Sequence, residues 1–102
     1  MGKLNIQFKN DDYKQSRGGY SRLLDLACEK CGAHLCYYQK DGPGDLKRMY
    51  LDRIFGLEEL NSKEFTCPQC GELLGNWIIY PEEDRPAYRL YAGAVIKKIV
   101  AH

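Results

Sequence analysis

Two short stretches carry the residues best suited to chemistry: CEKCGAHLC at 28–36 and TCPQCGELLG at 66–75. In each, two cysteines separated by two residues place two sulfurs on one tight turn. A glycine follows at once, at 32 and at 71, where such a turn needs a backbone conformation costly for other residues. Pro68 restricts the second turn further. Zinc takes thiolates in a tetrahedral shell, so Cys28, Cys31, Cys67 and Cys70 are expected to converge on one Zn2+ ion. Reduced core thiols, labile disulfides and an iron site are the competing readings of the same four residues. Zinc held by four thiolates has no position open for water or substrate, so its expected role is to hold strands together.

The remaining ligand-type residues fit the metal less well. Cys36, embedded in HLCYY, reads as a buried apolar thiol, with an alternative ligand or a reactive site as the other options. His34 reads as a structural histidine that could replace one sulfur or donate to it, and His102 is at the very end of the sequence. A redox pair would need a helix N-terminus to stabilise its thiolate, and neither CxxCG turn leads into a convincing helix. With so few histidines, no acid–base pair or nucleophile triad can be assembled from sequence position, and no catalytic residue is assigned.

Composition bounds the rest. A chain of 102 residues, 44% hydrophobic and 28% charged, is sized and composed as one globular domain in which a metal crosslink matters. An odd count of five cysteines argues against a disulfide-stapled secreted module, and close pairs in a reducing compartment point to metal. MGKLNIQFKNDDYKQ is too polar for an apolar targeting segment, and no run approaches a membrane span, so the expected location is the cytoplasm. Four thiolates and a divalent ion convert the formal +1 to −1, which leaves almost no overall electrostatic case for nucleic acid.

The elements that must position the cysteines read mainly as strands. Residues 1–19, with Leu4, Ile6 and Phe8 alternating before NDDYKQSRGG, read as an N-terminal arm or edge strand. Residues 20–102 read as a single zinc-binding β domain. YSRLLDLAC and HLCYYQ flank the first knuckle as strands, and KDGPGD supplies a hairpin reversal. LKRMYLDRIF reads as one strand to about Ile54, followed by a loop or helical turn at GLEELNSKE. ELLGNWIIY is a strand that PEEDRP interrupts, and AYRLYAGAVIKKIV gives one or two more. Five or six short strands make a small antiparallel β domain. A pseudo-repeat of CxxCG turn, strand, reversal and strand begins at Cys28 and again at Cys67.

The paired CxxCG knuckles resemble the zinc-ribbon class, and in particular the β-tent group of the Yippee proteins and the thalidomide-binding domain of cereblon. That resemblance implies one structural zinc on Cys28, Cys31, Cys67 and Cys70, with hairpins over about 20–39 and 65–92. The cereblon ligand cage is built of tryptophans, whereas this chain has only Trp77. The knuckles also look like the zinc part of methionine sulfoxide reductase B, whose nucleophilic cysteine follows the second pair. No cysteine follows Cys70 here. Some β-tent relatives bind RNA ends in a basic groove.

The expected function is a structural-zinc β module in macromolecular recognition, with a protein partner or a homodimer through its tyrosines and strand edges. RNA or single-stranded nucleic acid is the alternative, using Arg85, Arg89, Lys97 and Lys98 with Lys47, Arg48 and Arg53 on phosphate and Tyr50 or Tyr91 on bases. A small-molecule enzyme with a pocket away from zinc is the third reading.

Overall fold

Alternating apolar residues and two glycine-terminated turns build two hairpins that end side by side. The computed structural model describes residues 11–16, 19–42, 44–57 and 64–100. A helical turn α1 (Asp12–Ser16) precedes β1 (Ser21–Cys28), β2 (His34–Asp41) and β3 (Arg48–Tyr50). A 3-10 turn (Leu51–Arg53), β4 (Ile54–Phe55), β5 (Glu64–Thr66), β6 (Leu73–Tyr80), β7 (Arg85–Leu90) and β8 (Val95–Val100) follow. The strands form two antiparallel sheets, ordered β4-β2-β1-β8 and β3-β7-β6-β5. The expected antiparallel β domain is therefore present.

Period-two burial explains the packing. On β1, Leu24, Leu26 and Cys28 turn one face inward, and Leu35, Cys36, Tyr38, Met49, Phe65, Leu74 and Tyr88 join them in one core. Phe65 stacks on Tyr88 at 5.3 Å between ring centroids, and Trp77 meets Tyr88 edge-on. Gly75 lets β6 and β7 approach closely, since a Cβ there would sit 2.6 Å from the Arg89 carbonyl oxygen.

The pseudo-repeat reaches further back than the cysteines. The register of β1 against β2 slips between Leu26 and Ala27, and that of β5 against β6 between Phe65 and Thr66. Each slip falls just before the first cysteine of its knuckle, so the two hairpins carry the same bulge at the same offset.

Four expectations change. LKRMYLDRIF is not one strand: β3 belongs to the second sheet and β4 to the first, with the 3-10 turn between them. The turn carries Arg53 into the interior, where carboxylates from distant segments meet it. KDGPGD is not a hairpin reversal but a crossover between sheets, with Leu46 pinned in the core beyond it. Pro86 lies inside β7, a central strand, at a position opposite Ile79 of β6 but beyond the end of β3, whose last pair is Tyr50 with Ala87. There are eight strands among the described residues rather than five or six. Leu4, Ile6 and Phe8, and most of GLEELNSKE, lie outside the described residues.

Candidate metal centre and the groove between the sheets

The two knuckles are copies of one backbone structure. At the β1–β2 tip the Gly32 amide donates to the Cys28 carbonyl at 2.7 Å and the Cys28 amide to Ala33 at 2.9 Å. At the β5–β6 tip the Gly71 amide donates to the Cys67 carbonyl at 2.9 Å and the Cys67 amide to Glu72 at 2.9 Å. Gly32 and Gly71 share φ of +77°, the left-handed value expected of both.

Folding the tips together brings the four sulfurs of Cys28, Cys31, Cys67 and Cys70 within 4.8 Å of one another. Cys28 lies 3.7 Å from Cys70 and Cys31 lies 3.5 Å from Cys67, so each close pair joins one knuckle to the other. Four sulfurs each about 2.3 Å from a tetrahedral zinc ion would be about 3.8 Å apart. The cluster is thus geometrically suited to chelate one metal ion, and all five cysteines are free thiols. Two of the four cysteines are buried and two exposed, and Lys30 ties the knuckles across the outside through Glu72 at 2.9 Å.

The four clustered thiols do not ionise alike. Desolvation opposes ionisation of Cys67, yet the amides of Cys70 and Gln69 and the neighbouring thiols outweigh it and lower its pKa to about 7. At Cys31 the Ala33 amide favours the thiolate, but desolvation and the other three sulfurs push the thiol up to about 12. One thiolate formed among four sulfurs suppresses the rest, and a divalent ion relieves that repulsion.

Cys36 is outside the cluster. It is fully buried, and desolvation together with the charge of Asp25 pushes its thiol up to about 12, as suits an inert core thiol. His34 places Nδ1 2.7 Å from Asp25 and its ring against Tyr37, also away from the sulfurs. His102 lies outside the described residues.

The basic residues divide in a way the sequence concealed. Arg53 is fully buried, with Nε donating to Asp41 at 2.9 Å, Nη1 to Asp52 at 2.9 Å and Nη2 to Asp11 at 2.6 Å. Arg85, also buried, donates to Asp52 and Glu83 at 2.8 Å each and lies between the rings of Tyr13 and Tyr50, 3.9 Å from each centroid. Burial opposes the charge of Arg53, but Asp11 and Asp41 overcome it and raise its pKa. Both arginines leave the set expected to contact phosphate, and Tyr50, buried beneath Arg85, leaves the set expected to stack on bases. A sequence signal existed in the pairing of Arg53 with the inward positions Met49 and Leu51, but its partners are scattered over residues 11, 41 and 52.

Lys47, Arg89 and Lys97 do converge. They line a groove of about 690 Å³ between the sheets, whose walls include Asn76 and Leu90 on one side and Val95 on the other. A second depression shares Asp45, Leu46 and Lys97 with it and adds Arg22 and Lys40. Arg22 keeps a buried Nε without a hydrogen-bond partner. Lys47, Arg89 and Lys97 form no ion pair among the described residues, and Asp45 is the one carboxylate in either lining. Tyr91, 41% exposed, is the one aromatic lining the groove among the described residues. No protein-family model matches the chain, and comparisons with curated proteins and with solved structures find no match.

Proposed function

We propose that this chain is a structural-zinc β module of the cytoplasm that acts by recognising another protein. The observation that carries the reading is the donor set: four cysteine sulfurs at near-tetrahedral spacing, contributed in pairs by the tips of two hairpins from different sheets. Such a shell suits zinc and is complete without water or substrate, so the ion would fix architecture and leave recognition to the surfaces it aligns. The groove between the sheets is the surface most directly aligned in this way. Its unpaired cations also suit the phosphates of single-stranded nucleic acid, but that chemistry relies on aromatic stacking platforms, and the groove offers Tyr91 alone.

The metal half of the reading is tested by elemental analysis of protein purified under reduction, with one zinc per chain expected. Structural zinc supplies on the order of 10 kcal/mol of apparent folding free energy, comparable with the whole net stability of a small domain. Cys67→Ser and strong chelators should therefore unfold the protein, whereas Cys36→Ser should keep its zinc. A metal-free protein that remains natively folded in chelator contradicts the reading.

A further inference from the structure

Among the described residues β8 pairs with β1 alone, so it forms an edge of its sheet. Its sequence, VIKKIV, reads the same in both directions. The register with β1 places Val95, Lys97 and Ile99 on the side of Cys28, Leu26 and Leu24, the side that faces the groove. Ile96, Lys98 and Val100 lie on the side of Ala27, Asp25 and Leu23. Each face of this edge therefore presents a lysine between two aliphatic residues. Ile96 and Ile99 are 45% and 62% exposed, high values for isoleucine in a strand. Lys98 sits opposite Asp25, whose carboxylate is already held by His34, and neither lysine is ion-paired among the described residues.

We infer that β8 is a strand-addition site for an extended acidic segment of a partner protein, in which two adjacent carboxylates are flanked on each side by two aliphatic residues. The inference rests on the protein-recognition reading above and names the partner's chemistry. Edge amides and carbonyls supply affinity in such pairing, and alternate side chains supply specificity. Two consecutive carboxylates in the added strand would fall on opposite faces, one beside Lys97 and one beside Lys98. The flanking aliphatics would cover Val95 and Ile96 at one end and Ile99 and Val100 at the other. Because VIKKIV is palindromic, parallel and antiparallel strands meet the same pattern.

A second copy of the chain fits worse. In a two-fold antiparallel pair of β8 strands residues of the same face meet, so Lys97 faces Lys97 of the other copy and Ile96 faces Lys98, while only Val95 and Ile99 find aliphatic partners; like charges directly opposite are destabilising. The lysines thus disfavour that centred pairing while leaving the edge open to an acidic strand. Nucleic acid could satisfy the lysines but would neither continue the backbone ladder nor cover the isoleucines.

The test uses the intact zinc-loaded chain and its Lys97→Glu/Lys98→Glu variant, each confirmed by zinc content and circular dichroism. Wild type and variant should each be monomeric by light scattering and should form a one-to-one heterodimer when mixed, since the two-fold register then opposes lysine to glutamate at position 97. A labelled peptide with two central glutamates between pairs of valine and isoleucine should bind the wild type, and the variant at least about ten-fold more weakly. The lysine version of the peptide should reverse that order. A mixture that stays monomeric, a wild type that dimerises alone, or peptide binding indifferent to the charge swap overturns the inference. A labelled oligouridine that outcompetes the peptide does so as well, in favour of nucleic acid. Zinc stoichiometry and chelator unfolding unchanged in the same samples would show that the metal reading survives such a failure.

Discussion

Replacing Arg53 by methionine should destabilise the protein far more than its label as a surface-type residue suggests. Three carboxylates contact the guanidinium, but they differ in solvent exposure: the side chains of Asp11 and Asp52 are 39% and 44% exposed, that of Asp41 only 5%. The two exposed pairs contribute little each, about 0–1 kcal/mol. The buried pair decides the outcome. Without Arg53, Asp41 keeps donors from Ser21 at 2.6 Å and Gln39 at 2.8 Å, both on Oδ1, and its Oδ2 loses the Arg53 partner. Stranding a buried charge in this way costs about 3–5 kcal/mol, a large share of the roughly 5–15 kcal/mol that holds a domain together. Urea titration of the zinc-loaded protein should show that loss, and Tm should fall by at least about 12 °C. Asp41→Asn should cost less in the methionine background than in the wild type, because the charge it removes is then already unpaired. A loss below about 1 kcal/mol for Arg53→Met, the range of an ordinary surface change, refutes the buried network.

Two further outcomes follow from the same geometry. Gly75→Ala places a Cβ 2.6 Å from the Arg89 carbonyl oxygen and 3.3 Å from the Leu90 Cα, both backbone, so β6 and β7 must separate. A loss of about 1–3 kcal/mol in urea is expected, and an unchanged midpoint would contradict the close approach. The Arg53 guanidinium lowers the Asp11 pKa from its ordinary 3.8, so Asp11 contributes stability above that value and loses it as pH falls through the folded pKa. The stability gap between wild type and Asp11→Asn should therefore narrow in acid, while proton competition for the metal affects both proteins alike. A gap that stays constant from about pH 6 to pH 2.5 rules out the Asp11 contribution.

The metal cluster was legible because its information is local and repeated. Two CxxCG turns, each with a glycine at the position that adopts φ of +77°, identify the four cysteines that cluster before any tertiary contact is known. Two strands were also readable, β1 from its alternating leucines and β6 from its run of strong strand formers. What escaped was set by long-range pairing. Nothing near LKRMYLDRIF announces that Arg53 will meet Asp11 and Asp41, so the break between β3 and β4 looks like uninterrupted strand. Likewise GPG signals a turn, but whether the chain then returns to its own sheet or crosses to the other depends on where Leu46 is buried. Charge counts mislead for the same reason: Arg53 and Arg89 are identical in composition, and only the carboxylates around one of them make it structural.

The two sheets are fastened to each other at both ends of β2. Its first residue, His34, follows the knuckle whose sulfurs meet those of the other hairpin. Its last, Asp41, about 23 Å along an extended strand, binds Arg53, which shares Asp52 with Arg85 of the second sheet. The cysteine fastening is suited to a metal and the arginine one needs none, so removing a bound ion should loosen the hairpin tips before the arginine end. The groove would feel that loss directly. Its walls come from different sheets, and the segment joining them is held at the metal end, with the Glu29 amide donating to Ala94 at 3.1 Å and the Tyr91 amide to Leu74 at 3.0 Å. An ion held by the four cysteines would therefore be coupled through the backbone to the spacing of Arg89 from Lys97, although neither residue belongs to the cysteine cluster.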